Sequence, residues 1–324
     1  MRRNVMILAL GLVMAGKVKA QQDVQFSQYV FNGLSVNPAY AGYKETLYFN
    51  TTYRQQWAGL QGAPKTGTIS VDGITNAREE RVGVGGQLTF DKLGPQESIS
   101  LYGSYAYRIP LGYDYDRRIS LGLGFGITQY SLNGNDYKYL DADEPEIPLG
   151  KVSTWKPDAR FGVYYNTPHS FVGLSVMDLF SIAGSQKLFF GNNTTYTTLR
   201  KTRHIYLTAG TEWEVSESIM LKPSFMLKED FNGPTNIDFN TLVFLARKVW
   251  VGASYRSSFK LWSKEALKTD LGISNAVSVM LEYFATDKLR IGYSYDFTTN
   301  GIGKYQTGSH EISFGMIFKK KDEE

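Results

Sequence analysis

The chain has 324 residues with no cysteine, 32 glycines, 22 tyrosines and 19 phenylalanines, and 20% of its residues are charged. This composition excludes a disordered charged tail, a disulfide scaffold and a thiolate metal site. The formal charge of +4 comes from Arg2, Arg3, Lys17 and Lys19 in the first twenty residues, where there is no acid, so it gives no footing for a nucleic-acid partner.

Residues 1–20 begin with Arg2 and Arg3, continue through the apolar run Val5 to Ala15 and end on Val18-Lys19-Ala20. This is the pattern of a secretory signal peptide cleaved before Gln21. With no cysteine available at the new N-terminus, the leader does not belong to a lipoprotein. Beyond it the purely apolar runs are as short as Leu242–Ala246, against the roughly 20 residues that a spanning helix needs. A membrane protein without spanning helices must be a closed barrel, because lipid tolerates no unpaired backbone.

Residues 21–45 contain Asn32-Gly33 and Pro38 and show no strand alternation after Tyr29. Their rings, Phe26, Tyr29, Phe31 and Tyr40, need burial, so the segment is expected to be a periplasmic plug or lining. From residue 46 onward period 2 dominates. Ile119, Leu121, Leu123, Phe125 and Ile127 alternate with Ser120, Gly122, Gly124, Gly126 and Thr128. The same split recurs in Leu289–Phe297 and in Ile312–Phe318. The pattern predicts fourteen strands, at 46–54, 65–74, 82–91, 97–109, 118–130, 158–166, 169–178, 201–214, 217–228, 235–246, 248–258, 275–285, 288–297 and 308–318. Many have the length that crosses a bilayer at a barrel's tilt. A soluble sandwich also alternates, but its outward face would be charged, and here the other face carries Tyr, Phe, Leu and Ile.

Connections after even-numbered strands are short and those after odd-numbered strands include the long stretches 131–157, 179–200 and 259–274. Outer-membrane barrels have short periplasmic turns and longer external loops. Both termini are therefore expected in the periplasm, with 46–318 as barrel and 319–324 as a short tail. Ser313 to Phe318 has the polar, glycine and terminal-aromatic spacing of an outer-membrane assembly signal. The positions predicted to face inward are unusually small, among them Gly83, Gly85, Gly122, Gly124, Gly126, Gly162, Gly210, Gly252 and Gly292. Such a wall leaves space for a plug.

Ordered blocks stand along the chain: Phe26-Ser27-Gln28-Tyr29, Asn37-Pro38-Ala39-Tyr40-Ala41-Gly42, Arg54, Gln56-Trp57, Gly59, Gly62-Ala63-Pro64 and Thr66, then Gly292-Tyr293-Ser294-Tyr295-Asp296 and Gly308-Ser309-His310-Glu311-Ile312. Together they resemble the PorP/SprF family of type IX secretion outer-membrane proteins. The resemblance implies a non-enzymatic barrel of the secretion and gliding machinery. Such a barrel helps large adhesin-like cargo with a C-terminal sorting domain to reach or stay on the cell surface. It also implies contact with other type IX components, including a peptidoglycan-associated periplasmic protein, within outer-membrane lipid. Partner-binding or plug roles fall on Phe26, Ser27, Gln28, Tyr29, Asn37, Pro38, Ala39, Tyr40, Arg54 and Trp57. The alternative is a channel or a fatty-acid-type transporter, whose N-terminal hatch also contains an Asn-Pro-Ala tripeptide.

No constellation for chemistry stands out. His169, His204 and His310 lack ligand spacing. Gly122-x-Gly124-x-Gly126 has strand period and not the context of a dinucleotide site. The acids Asp136, Asp141, Asp143, Glu144 and Glu146 read as a solvated loop without EF-hand spacing, with calcium bridging as the sharper alternative. Arg78, Glu79, Glu80 and Arg81 read as turn charges, and Arg54 and Asp296 are expected to pair in the lumen or to line water. No cofactor, metal or catalytic residue is expected.

Overall fold

The computed structural model describes residues 26–75, 80–112, 116–136, 150–181, 186–187, 200–262 and 276–318. Fourteen strands form its wall: β1 (Leu47–Gln55), β2 (Lys65–Ile74), β3 (Val82–Leu93), β4 (Gln96–Leu111), β5 (Arg117–Asn133), β6 (Lys151–Asn166), β7 (Ser170–Met177), β8 (His204–Thr211, carried past Glu212 by Trp213–Ser216), β9 (Ile219–Glu229), β10 (Thr235–Leu245), β11 (Val249–Phe259), β12 (Ala276–Phe284), β13 (Leu289–Thr298) and β14 (Ser309–Phe318). Each pairs antiparallel with its chain neighbours, and β1 pairs with β14 from Leu47 opposite Phe318 to Gln55 opposite His310. The sheet thus closes on itself and leaves no edge along the ring. A two-residue ribbon, Gln186–Lys187 with Arg200–Lys201, stands apart from it. Among the described residues no helix is long and apolar enough to cross a membrane.

The two faces separate as period 2 requires. On β5, Leu121, Leu123, Phe125 and Ile127 are exposed while Ser120 and Thr128 are buried. On β13 and β14, Ile291, Tyr293, Phe297, Ile312 and Phe314 point outward, and Arg290, Ser294, Asp296, Glu311 and Ser313 point into the lumen. An exposed aromatic and aliphatic jacket around a polar interior is the inverse of a soluble protein and matches a lipid surround.

Strand bounds shift where the sequence signal is weak. β6 begins at Lys151, seven residues before the expected start, because Lys151 to Pro157 continue the ladder with β5. Pro157 is tolerated because β7 pairs with β6 only from Phe161 onward, so its missing N–H faces no neighbour. The expected strand at 201–214 is broken at Glu212, whose N–H bonds the His169 carbonyl at 2.6 Å. The hairpin between β10 and β11 turns on Ala246 and Arg247, with φ of 50° and 54°. This mirror-image turn suits the strand twist and is more often built with Asn-Gly. Asp141, Asp143, Glu144, Glu146, Arg78, Glu79, the leader and the tail lie outside the described residues.

The segment before β1 lies inside the barrel. It is built from three 3₁₀ turns, Tyr29–Phe31, Gly33–Ser35 and Pro38–Tyr40. Pro38 starts the third turn, and Asn37 caps it by accepting the Ala39 N–H at 2.9 Å. Three clusters distribute the segment's apolar side chains over the wall. Leu34, Ala39, Tyr40 and Ala41 meet Ala106 and Tyr164. Phe26 and Tyr29 meet Met177, Tyr206 and Met226, while Phe31 meets Leu242, Trp250 and Met280. Each buried ring contributes about 1.5–3 kcal/mol, which holds a short segment that has no sheet of its own.

Candidate functional site

The lumen joins the segment to the wall through a buried ionic lock. Arg54 on β1 sends Nη2 to Asp296 on β13 at 2.5 Å and Nη1 to Glu311 on β14 at 2.9 Å. Arg256 on β11 sends Nε to Asp238 on β10 at 2.8 Å. Ser27 sits in the middle: its hydroxyl donates to Asp296 at 2.9 Å and accepts from Arg54 at 3.0 Å. Glu311 accepts both the Ser27 and the Gln28 backbone N–H, at 2.8 and 2.9 Å. Two guanidinium groups against three carboxylates, all nearly shielded from solvent, are stable only where every charge is hydrogen-bonded. Main-chain N–H groups of the segment supply part of that satisfaction.

Further contacts follow the segment across the lumen. Asn240 donates to the Tyr29 hydroxyl at 2.5 Å, and Arg290, paired with Glu282 at 2.7 Å, donates to the Phe31 carbonyl at 2.9 Å. Asn32 donates to Asn50 at 3.0 Å. Ser175 donates to the Val36 carbonyl, Asn37 donates to the Val163 carbonyl at 3.1 Å, and Asp72 accepts the Gly42 N–H at 2.9 Å. At the end nearest β1, Glu45 pairs with Arg108 at 2.9 Å and with Arg118. Arg118 also pairs with Glu80 at 2.7 Å, so Glu80 is part of this anchor and is not the ordinary surface charge expected from its turn.

The small inward residues are what bring the segment so close. A Cβ on Gly122 would collide with the Ala39 backbone, and one on Gly162 would collide with the Asn37 side chain. Gly83, Gly85 and Gly292 receive Ala41, Leu34 and Gln28 in the same way. Gly126, Gly210 and Gly252 instead make room for wall side chains, Tyr102, Phe171 and Leu242. A cavity remains between segment and wall, lined by Tyr29, Val36, Tyr40, Tyr164, Phe171 and Lys222.

Of the residues singled out from the sequence, Phe26, Ser27, Gln28, Tyr29, Asn37, Pro38, Ala39 and Tyr40 are all buried in the lumen, and Arg54 faces them. Trp57 is separate from this group. It lies in the β1–β2 connection, where its N–H donates to the Ser309 hydroxyl at 3.1 Å and the neighbouring Ala58 N–H bonds the Gly308 carbonyl at 2.8 Å. Asp238, Arg256, Arg290 and Glu311 were missed as site residues, although each is a charged residue at an inward position of an alternating strand. His169 sits in the β6–β7 turn, His204 lies 3.5 Å from Asp178, and His310 is exposed beside Tyr293.

A closed fourteen-stranded antiparallel sheet with an apolar jacket and a polar, filled lumen is an outer-membrane β-barrel. Solved structures share that architecture. A monoaromatic hydrocarbon channel, CymD, is 13% identical with a TM-score of 0.54, covering 89% of this chain and 93% of its own. A FadL homologue of Pseudomonas aeruginosa is 12% identical with a TM-score of 0.49, covering 95% and 97%. At these identities the likeness concerns the fold alone, and the second score is too low to carry an argument. No curated protein matches the chain. The family model for the type IX secretion system membrane protein PorP/SprF matches residues 18–316, and the chain belongs to that family.

Proposed function

We propose that this barrel is a non-enzymatic platform of type IX secretion that helps a large surface protein with a C-terminal sorting domain to reach or stay on the cell surface. The observation that supports this most directly, beside family membership, is the filled lumen. Phe26 to Gly42 cross the bore with ring clusters on several sides and an ionic lock, an arrangement suited to holding a partner at the mouth and poorly suited to free diffusion. The long connections face outward to the cargo. The short turns and the β1 and β14 ends, Leu47 and Phe318, face the periplasm, where other machinery components, including a peptidoglycan-associated protein, find them.

The test is display. Cells lacking this chain should lose their sorting-domain protein from the surface, and restoring the chain should return it. Normal display without the chain refutes the reading. The second reading, a hydrophobic-ligand transporter, draws on the aromatic cavity beside Lys222. Steady solute or fatty-acid flux through liposomes holding the purified full-length barrel would favour it.

A further inference from the structure

The wall grips the luminal segment by its backbone as well as by its side chains. Glu311 takes two successive N–H groups at residues 27 and 28. Arg290 takes the carbonyl of residue 31, Ser175 that of residue 36, and Asp72 the N–H of residue 42. Every one of these wall groups is a side chain fixed on a strand, and every one reads a feature common to all polypeptides. Side-chain selectivity comes from the Ser27 hydroxyl in the ionic lock, the Gln28 and Asn32 amides on Ser313 and Asn50, the Tyr29 hydroxyl on Asn240, the ring clusters, and Asn37 seated against Gly162. A site of this kind is a receptor for polypeptide, much as main-chain hydrogen bonds give affinity and a few pockets give selectivity in other peptide grooves.

The groove also has a direction. Phe26 shares a cluster with Met177, the last residue of β7, and with Tyr206 near the start of β8, and Ser27 bonds Arg54 and Glu311, all toward the end of the barrel that carries the long connections. Ala41 and Gly42 reach Gly83 and Asp72, and Glu45 reaches Arg108 and Arg118, all at the short-turn end. The segment therefore runs N to C from the long-connection mouth toward the short turns, so Phe26 lies at the opposite end of the barrel from Phe318, unlike the expectation that both ends of the chain share the short-turn side. A polypeptide lodged here from outside, with its body beyond the mouth and its C-terminal tail in the bore, would have the same polarity.

We propose that the lumen is a binding groove for a polypeptide segment. Residues 26–43 occupy it in cis, and it accepts a second segment of matching polarity, with a small hydroxyl residue at the lock and an asparagine at the Gly162 notch. The inference deepens the cargo-holding reading and rests on it for the identity of the natural occupant, while the binding itself is testable without cargo.

A protease site placed between Glu45 and Thr46 of the full chain lets the segment be cut after folding. The cut fragment should stay with the barrel through gel filtration. It should then exchange with an excess of labelled peptide 26–43, read by fluorescence anisotropy. Glu311→Gln in the wall and Ser27→Val in the peptide should each weaken binding about tenfold, since each loses a charge-assisted hydrogen bond. Ser35→Ala in the peptide should bind as the parent does, because Ser35 bonds only the Asn32 carbonyl within the segment. A reversed-sequence peptide should not bind. The groove is refuted if the barrel admits no added peptide, whether or not it keeps its own fragment, or if the reversed peptide binds as well as the natural one. Normal surface display in cells lacking the chain, combined with normal exchange in vitro, would instead overturn the cargo reading and leave the groove standing.

Discussion

Replacing Arg54 with leucine removes a cation that touches both Asp296 and Glu311. Arg256 is left to offset three carboxylates, and its own approach to Asp296 is 3.7 Å. Arg54 and Glu311 are among the largest fully buried side chains, so water cannot readily take over the role of the lost guanidinium. Breaking a buried ion pair from one side costs about 3–5 kcal/mol. Much of that cost should fall on the segment, because the Ser27 hydroxyl loses a donor and Glu311 is left without a cation while still holding two N–H groups. Every 1.4 kcal/mol is tenfold in population, so opening of the segment should rise by about two to three orders of magnitude. Limited digestion with chymotrypsin reads this directly, since Phe26, Tyr29, Phe31 and Tyr40 are buried in the parent. The variant barrel should still run as a folded species on unheated gels while its segment is cut far faster. Arg54→Leu combined with Glu311→Gln should recover part of the loss, because the two residues share one network. Unchanged digestion in Arg54→Leu would show that the lock contributes nothing to retention of the segment, and the account of the lumen given above would fail.

Leu123→Arg should impair assembly by about 2–4 kcal/mol because it puts a charge on the lipid face, whereas Gly124→Ser, whose Cβ meets Arg160 at 3.3 Å and Pro38 at 3.6 Å, should assemble nearly as well; equal folded yields would reverse the faces. Gly122→Val should expel the segment by colliding with Ala39, while Gly103→Val, with nothing within 4 Å of its Cβ, should be neutral, and protease sensitivity of the segment separates the two. For orientation, a cysteine at Tyr305, which is 74% exposed in the β13–β14 connection, should react with an impermeant thiol reagent on intact cells. Cysteines at Thr167, Ser216 or Asp287 should react only once the outer membrane is opened, and labelling of that second set on intact cells would invert the barrel. Deleting Gln25–Tyr40 should leave a barrel that reaches the outer membrane with reduced heat stability, and an unchanged melting temperature would show that the segment's ring clusters contribute nothing to the wall.

The fourteen strands and their faces were legible because strand periodicity is local. Each inward glycine or serine between outward rings records a wall with lipid on one side and close packing on the other, and that record survives without any knowledge of the partner strand. The segment's exclusion from the wall was equally local, since Pro38 and the Asn32-Gly33 pair deny it a ladder. The strand bounds at Lys151 and Glu212 were not legible, because what extends or breaks a strand there is the neighbour it pairs with. Nor could the sequence connect Ser27 to Glu311, 284 positions away, or Arg256 to Asp238 and Asp296. An inward charge shows in the alternation, but its partner is set by the register of neighbouring strands and by the closure of β1 on β14. The direction of the luminal segment is also a tertiary outcome. Its composition asks only for burial, and the positions of the ionic lock, the glycine notches and the Arg108 anchor around the closed wall decide which end lies toward the long connections.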